Sequence, residues 1–132
     1  MTLLDIRLID TNSVIDYLGN KLPLIGMEFM NSIIDTAVNV SVITKIEVLG
    51  FNATKEHYEL LTDFMSDATI FDLTDNVVEA CIDIRKKNRT KLPDAIIAAT
   101  ALFHNLVLIT RNTSDFKDIE GLQVINPHLL ER

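Results

Sequence analysis

Four acidic residues lie where an apolar run gives way to a turn or a helix start, namely Asp10, Glu47, Asp94 and Asp115. If these four segments pack side by side, the carboxylates meet at one end of the fold, where they repel one another unless a cation lies between them. Oxygen ligands without histidine or cysteine partners suit Mg²⁺, with Mn²⁺ as the alternative, rather than zinc. One or two such ions can orient a water molecule, lower its pKa and stabilise the leaving oxygen of a phosphate ester. The four acids therefore predict a metal-dependent hydrolase.

Each acid also has a purely structural explanation when it is taken alone. Thr44 and Glu47 match a capping box, in which the two side chains satisfy free backbone N–H groups at a helix start. Asp94 follows Pro93 in what reads as a first helical turn, where the helix dipole favours a carboxylate. Asp10 is explained as a turn residue or cap, and Asp115 as part of a short helix that begins near Asn112. What these explanations leave unaccounted for is the recurrence of an acid at the same edge of the predicted sheet.

The elements that must position these acids alternate between strand and helix. Strands are predicted over residues 3–9, 38–43, 69–73, 106–110 and 123–126. Helices are predicted after Asp10, over 24–37, from Thr44, over 54–65, over 76–88, and from Pro93 to Ala101 or Leu102. This alternation favours an α/β fold with a largely parallel central sheet covered by helices on both faces. Ligands in such folds bind at the carboxyl ends of the strands, where Asp10, Glu47 and Asp115 are expected.

Composition limits the class of protein. The 132 residues, about half of them apolar (48%), fit a single domain over residues 1–132. Twelve basic and 19 acidic residues give a formal net charge of −7, so a phosphate partner needs a local basic patch. The single cysteine, Cys81, excludes an internal disulfide and favours the cytoplasm. No leader pattern or apolar run near the ~20 residues of a membrane span is visible, so we expect neither export nor membrane insertion.

A basic run precedes Asp94 in this otherwise acidic chain, and consists of Arg85, Lys86, Lys87, Arg89 and Lys91. Cations at the end of a helix complement its dipole, which explains the run as a solvated helix terminus. Its position beside the predicted metal site makes it equally a candidate for phosphate contacts. Arg85, on the side opposite to the outermost lysines, is the first candidate for RNA binding, and Arg111 is the second. The three histidines share no spacing that would indicate catalysis.

Four segments carry a family resemblance, and together they extend over nearly the whole chain. They are Ile9-Asp10-Thr11-Asn12, Thr44-Lys45-Ile46-Glu47, Leu92-Pro93-Asp94-Ala95-Ile96-Ile97-Ala98-Ala99-Thr100-Ala101 and Leu108-Ile109-Thr110-Arg111-Asn112-Thr113-Ser114-Asp115-Phe116. In order and spacing they resemble the PIN-domain ribonucleases of the VapC toxin type. The resemblance implies a three-layer PIN-like fold and a Mg²⁺-dependent endoribonuclease that acts on RNA and is silenced by a small antitoxin. It also implies a homodimer.

The resemblance also assigns the site. It implies that Asp10, Glu47 and Asp94 hold the metal and that the fourth position lies around Asn112 and Asp115. We place Asp115 ahead of Asn112, because an asparagine stands where many relatives have an aspartate. Thr11, Asn12 and Thr110 can support the site by hydrogen bonds to a carboxylate or a metal-bound water, although helix capping explains them as well.

Two other classes of function stay open on the sequence. A catalytically inactive binding module would keep the fold, although the intact acids argue against it. A phosphoacceptor receiver domain also has an α/β fold with Mg²⁺-binding acids, but it would show adjacent acids after the first strand, which Asp10-Thr11-Asn12 lacks. Candidate walls of an antitoxin groove are the helix with Met27, Phe29 and Met30 and the helix with Tyr58, although core packing explains most of these side chains.

Overall fold

The computed structural model describes residues 6–131, which form five short strands and seven helices. The strands are β1 (Arg7–Ile9), β2 (Asn39–Ser41), β3 (Thr69–Phe71), β4 (Val107–Ile109) and β5 (Val124–Ile125). The helices are α1 (Thr11–Leu18), α2 (Leu24–Thr36), α3 (Val42–Leu49), α4 (Lys55–Ser66), α5 (Asp75–Lys87), α6 (Leu92–His104) and α7 (Thr113–Phe116). Within this range no helix has both the length and the apolar character that a bilayer span requires.

All strand pairs are parallel. In one sheet β4 lies between β1 and β5, with Ile9 opposite Ile109 and Ile109 opposite Ile125. In the other, β2 pairs with β3, and Ser41 lies opposite Phe71. The Asn39 side-chain amide donates a hydrogen bond of 3.0 Å to the Arg7 carbonyl, which joins β2 to β1. The carboxyl ends of β1, β4 and β5 therefore lie at one edge, and Thr11 after β1 contacts Thr44 and Glu47 in the helix that follows β2.

Alternation along the strands divides the core into two halves. Leu8 and Leu108 face a cluster formed mainly with α5 and α6. Their neighbours Ile9 and Ile109 face the opposite cluster, which contains residues of α1, α2, α3 and α4. Because successive strand side chains point to opposite faces, this pattern places helices on both sides of the strands. The predicted three-layer α/β fold with a largely parallel sheet is confirmed.

The start of α3 corrects the sequence analysis. The predicted strand over 38–43 ends at Ser41, and the helix begins at Val42 rather than at Thr44. The Ser41 hydroxyl accepts a hydrogen bond of 3.1 Å from the Ile43 N–H and so caps the helix. The β-branched residues Val42 and Ile43 suit a strand as well as a helix, so local preference did not reveal the boundary. Thr44 is therefore a buried residue inside α3, and the predicted capping box with Glu47 is wrong.

The other predicted elements are present with shorter strands. The predicted strands over 69–73, 106–110 and 123–126 each lose residues at their ends. Of the first predicted strand, residues 3–5 lie outside the described residues. The helix predicted from Pro93 begins one residue earlier, at Leu92, and continues to His104. Its left-handed C-cap residue, Asn105, has φ 57°, a conformation that asparagine tolerates better than most residues.

Candidate active site

Asp10 is fixed at the junction of β1 and α1. Its backbone N–H donates to the Ile109 carbonyl at 3.1 Å, which extends the pairing with β4 by one residue. Its carboxylate caps α1 by accepting a hydrogen bond of 2.9 Å from the Ser13 N–H. The buried Ser13 hydroxyl in turn donates to the Ile109 carbonyl at 3.2 Å. The cap explanation for Asp10 is therefore correct, and it also holds the carboxylate at the end of the sheet.

The protonation of Asp10 is governed mainly by burial. The residue is only 4% exposed, and loss of hydration raises the pKa of its carboxyl group. Hydrogen bonds with Thr110 and Ser13, together with the positive charge of Arg111, act in the opposite direction and offset only part of this. A buried carboxylate with a raised pKa is stabilised in its ionised form by a cation.

Glu47 lies exposed on α3, and its partner comes from α1. The Thr11 hydroxyl donates a hydrogen bond of 2.6 Å to Glu47 Oε1 and lies 3.2 Å from the buried Thr44 hydroxyl. Thr11 thus restricts the carboxylate while leaving its second oxygen for another ligand. This contact joins residues 36 positions apart in the sequence. Asn12, the residue after Thr11 in α1, is half-buried.

Asp94 is the acid whose pKa responds to the charges of the other three. It lies half-buried in the first turn of α6, and burial is the largest cause that raises the pKa of its carboxyl group. The negative charges of Asp115, Asp10 and Glu47 raise the pKa of Asp94 further, whereas Lys91 lowers it. The four predicted acids therefore lie within the range of one another's charge, which is about 10 Å at moderate salt. The first turn of α6 points towards the same edge as the strand ends.

The segment after β4 carries the fourth acid. Thr110 is fully buried, and its hydroxyl accepts a hydrogen bond of 3.0 Å from the Asn112 N–H. Asn112 precedes α7, and its carbonyl accepts a hydrogen bond of 3.0 Å from the Asp115 N–H. Asp115 is exposed and is the charged neighbour with the largest effect on the pKa of Asp94. The charge of Asp115 therefore lies within reach of Asp94, and the choice between Asp115 and Asn112 as the fourth ligand stays a prediction.

The donor set fits a hard divalent cation. Within residues 6–131, no three side chains of the His, Cys, Asp or Glu type are close enough together to surround an ion directly. Mg²⁺ does not require such a cage, because it usually keeps several waters and binds through one or two carboxylates. The acids face one another at distances where their charges still interact, and all their donors are oxygens. This arrangement is compatible with Mg²⁺ or Mn²⁺ held partly through water.

Two clefts lie beside the first turn of α6, and the basic residues of the run before Asp94 are divided between them. A cleft of about 690 Å³, hereafter the charged cleft, is lined by Lys87, Arg89 and Lys91 and by Asp94 and Asp115, among other residues. Arg85 instead lines an apolar groove of about 480 Å³ between α5 and α6. Its guanidinium donates a hydrogen bond of 3.2 Å to the Thr90 carbonyl. The first candidate for RNA binding therefore lies outside the charged cleft, and other cations of the same run line it.

Arg111, the second candidate, is held in an ion pair that the sequence analysis missed. Its guanidinium bonds both carboxylate oxygens of Asp16, at 3.2 and 3.0 Å. His128 Nε2 lies 3.0 Å from Asp16 Oδ2, so the buried Asp16 joins α1 to two distant segments. An acid between apolar residues of an amphipathic helix was the signal available, because a buried carboxylate needs a partner. The positive charge of Arg111 still reaches Asp10, whose pKa it lowers.

The candidate antitoxin walls are partly core. Met30 is fully buried, and Met27 and Phe29 pack partly buried against the same cluster. Tyr58 is 44% exposed and lines a shallow depression on α4. Core packing therefore accounts for Met30 and part of Met27 and Phe29, as the alternative explanation predicts, while Tyr58 stays accessible on α4.

Comparison with known proteins identifies the family. The model of the PIN domain matches residues 7–122, which is most of the chain. No curated protein matches the chain. A chain in a solved toxin-antitoxin complex from Klebsiella pneumoniae is 34% identical, with a TM-score of 0.72, over 94% of this chain and 99% of that one. The chain belongs to the PIN-domain family.

Further solved structures have the same fold. FitAcB from Neisseria gonorrhoeae is 25% identical over 95% of this chain and 100% of that one, with a TM-score of 0.76. DNA-bound VapBC from Salmonella typhimurium is 22% identical over 92% of this chain and 98% of that one, with a TM-score of 0.78. The resemblance to the VapC type of PIN domain, which the sequence motifs predict, is confirmed.

Proposed function

We propose that this protein is a divalent-metal-dependent endoribonuclease. The observation that carries the proposal is the placement of Asp10 at the end of β1, Glu47 on α3 beside Thr11, and Asp94 in the first turn of α6, near enough that the acids raise the pKa of Asp94. Repelling carboxylates at a ligand-binding edge are stabilised by a cation. PIN-domain membership supports nuclease activity. The receiver-domain alternative is set aside by the same membership.

Each residue of the site has a separate task in this proposal. Asp10, Glu47, Asp94 and Asp115 hold Mg²⁺, or alternatively Mn²⁺. The bound ion supplies a polarised water and neutralises charge on a phosphodiester. The Ser13 N–H fixes the Asp10 carboxylate, and the Thr11 hydroxyl orients that of Glu47. Thr110 supports both Asp10 and the turn at Asn112. Asn12, which follows Thr11 in α1, is proposed as a further supporting residue.

We propose further that the protein is the toxin of a toxin–antitoxin pair, acts in the cytoplasm and is silenced by a small antitoxin protein. The similar chain from Klebsiella pneumoniae is part of a toxin-antitoxin complex, and the FitAcB and VapBC structures share the fold. A homodimer is part of the same proposal. Sedimentation of the purified protein with and without a co-expressed antitoxin measures both assemblies.

RNA cleavage with a metal control tests the nuclease. Purified protein is incubated with a pool of transfer and messenger RNA in Mg²⁺ and in EDTA, alongside Asp94→Asn and the surface control Asp35→Asn. We expect cleavage by the wild type and Asp35→Asn in Mg²⁺ only, and none by Asp94→Asn. Asp35 is a suitable control because it is exposed on α2 and does not line the charged cleft of Asp94. A folded, Mg²⁺-binding wild type that cuts no RNA would instead favour an inactive binding module.

A further inference from the structure

The charged cleft has walls of opposite sign. One wall is the connection from α5 to α6, with Lys87, Arg89 and Lys91 exposed. The opposite wall belongs to α7 and the residues after it, including Asp115 and Asp118. Asp94 lies between them at the start of α6. A cleft of about 690 Å³ is within the size range of sites that bind small ligands or a nucleotide.

The cationic wall is held in place by hydrogen bonds. The Arg85 guanidinium donates to the Thr90 carbonyl at 3.2 Å. The Asn88 backbone N–H and side-chain amide both donate to the Ile84 carbonyl, at 2.9 and 3.1 Å. The connection is therefore anchored on each side of Arg89. Arg85 supports this wall rather than facing the cleft itself.

A solvated helix end does not explain these three cations. The dipole of α5 favours Lys87, which is in its last turn, but Arg89 follows the helix end at Asn88. Lys91 is the N-cap of α6, where the partial positive charge of the helix disfavours a cation, and it makes no side-chain cap hydrogen bond. The nearby Asp94 compensates Lys91, whose charge lowers the pKa of Asp94, but Arg89 forms no ion pair among the described residues and is available to an external anion.

We infer that Lys87, Arg89 and Lys91 form a binding site for backbone phosphates of single-stranded RNA, next to the phosphate that is cut. The inference rests on the proposed function. The chain carries a net charge of −7, and five of its twelve basic residues lie within 85–91. RNA entering the cleft thus meets cations on one wall, and a divalent ion, if held by the acids, would reduce the negative charge of the other. The ion pair of Lys87 with Asp83 is exposed, with 64% and 62% side-chain exposure, and is easily exchanged for a phosphate.

The test separates binding from cleavage. Lys87→Gln/Arg89→Gln is the test variant, and Lys91 is kept because its charge lowers the pKa of Asp94. Lys21→Gln/Lys55→Gln is the matched control, since it removes the same charge from two exposed lysines outside the cleft. Binding of a fluorescent single-stranded RNA is measured by anisotropy over a range of salt concentrations, with each pair of substitutions placed in the Asp94→Asn protein. Cleavage kinetics are measured in proteins that retain Asp94.

We expect the test variant to bind RNA on the order of tenfold more weakly and to reduce the salt slope by about 1.4, since each lost single-strand contact removes about 0.7. Its KM should rise at nearly unchanged kcat, while the control pair stays close to the parent protein. If the wild type cleaves RNA but the test and control variants bind equally, the inference is wrong and the proposed nuclease stands. If RNA binds through these residues and no cleavage occurs, the inference stands without the nuclease.

Discussion

Hydrogen bonds between individual side chains position the acids of the candidate site. The shortest of them joins Thr11 and Glu47. At 2.6 Å it joins a hydroxyl to a carboxylate, and such charge-assisted bonds are stronger than neutral ones. It replaces the predicted capping role of Glu47 with a partner from another helix. Positioning of a ligand by a neighbouring hydrogen bond is common in metal sites.

Replacement of Thr11 measures this positioning. We expect Thr11→Val to lower Mg²⁺ affinity or RNA cleavage by about 10–100-fold, because the Glu47 carboxylate loses its donor. Thr11→Ser keeps the hydroxyl and should retain most of the activity. Isothermal titration with Mg²⁺ and initial cleavage rates provide the measurements. Equal behaviour of the valine and serine variants would show that the hydroxyl does not orient Glu47.

The buried Asp16 should matter for stability. In Asp16→Asn the Arg111 guanidinium and the His128 ring lose their shared carboxylate. Breaking a fully buried ion pair costs about 3–5 kcal/mol, but Arg111 is 45% exposed, so we expect a loss of about 1–3 kcal/mol in the free energy of unfolding. Urea unfolding monitored by circular dichroism measures it.

A matched exposed pair provides the comparison for Asp16. Asp83→Asn removes an ion pair in which both side chains are more than half exposed, and should change stability by no more than about 0.5 kcal/mol. Similar losses in the two variants would contradict a structural role for the Asp16 contacts.

At the scale of elements, the junctions after β1 and β2 differ in how their helices begin. Asp10 caps α1 with its own carboxylate, whereas Ser41 caps α3 and leaves Glu47 further along the helix. Both arrangements place an acid at the edge where β1 and β2 end. The segment with Pro127 and His128 packs on α1 and α2. His128 contacts Asp16 of α1, and Pro127 closely approaches Gly26 of α2.

Gly26 allows that close approach. A Cβ at this position would overlap the Pro127 carbonyl oxygen, so the backbone of the segment with Pro127 would have to move. Alanine is the better helix former by up to about 1 kcal/mol, but overpacking against backbone costs about 1–3 kcal/mol. We therefore expect Gly26→Ala to lower the free energy of unfolding, measured by urea unfolding.

A double-mutant cycle distinguishes this mechanism from an unrelated loss. Gly26→Ala and Asp16→Asn both release the segment with Pro127 and His128, so their combined effect should be smaller than the sum. Additive losses, or a Gly26→Ala protein as stable as the wild type, would contradict the proposed fastening.

For the whole molecule, the acidic edge links stability to pH and to cations. Burial raises the pKa of Asp10 and of Asp94 above the ordinary value of 3.8, and for Asp94 the neighbouring acids add to this. In the folded protein without divalent ions, both groups therefore keep their protons to higher pH than in the unfolded chain. Their contribution to stability is complete below the ordinary value and is lost as the pH rises through the folded pKa values.

This linkage predicts a specific difference between two proteins. In EDTA, Asp94→Asn should unfold at higher urea concentration than the wild type at neutral pH, with the difference shrinking towards pH 4. Mg²⁺ at about 100 times its Kd should stabilise the wild type by about 2.7 kcal/mol and the variant by less. A variant less stable than the wild type in EDTA at pH 7 would show that repulsion at Asp94 is not significant.

Residue types and their periodicity are enough to predict the order of elements, the α/β class and the acids that follow strands or begin helices. These features are local, as at Asp10 and Asp94. Which side chains contact one another depends on the packing of the whole fold. Glu47 accepts a hydrogen bond from a residue 36 positions away, and Arg111 pairs with Asp16. Arg85 bonds the Thr90 carbonyl and supports the wall of the charged cleft instead of facing it. Such contacts depend on how helices pack across the sheet, and no local pattern in the chain records that geometry.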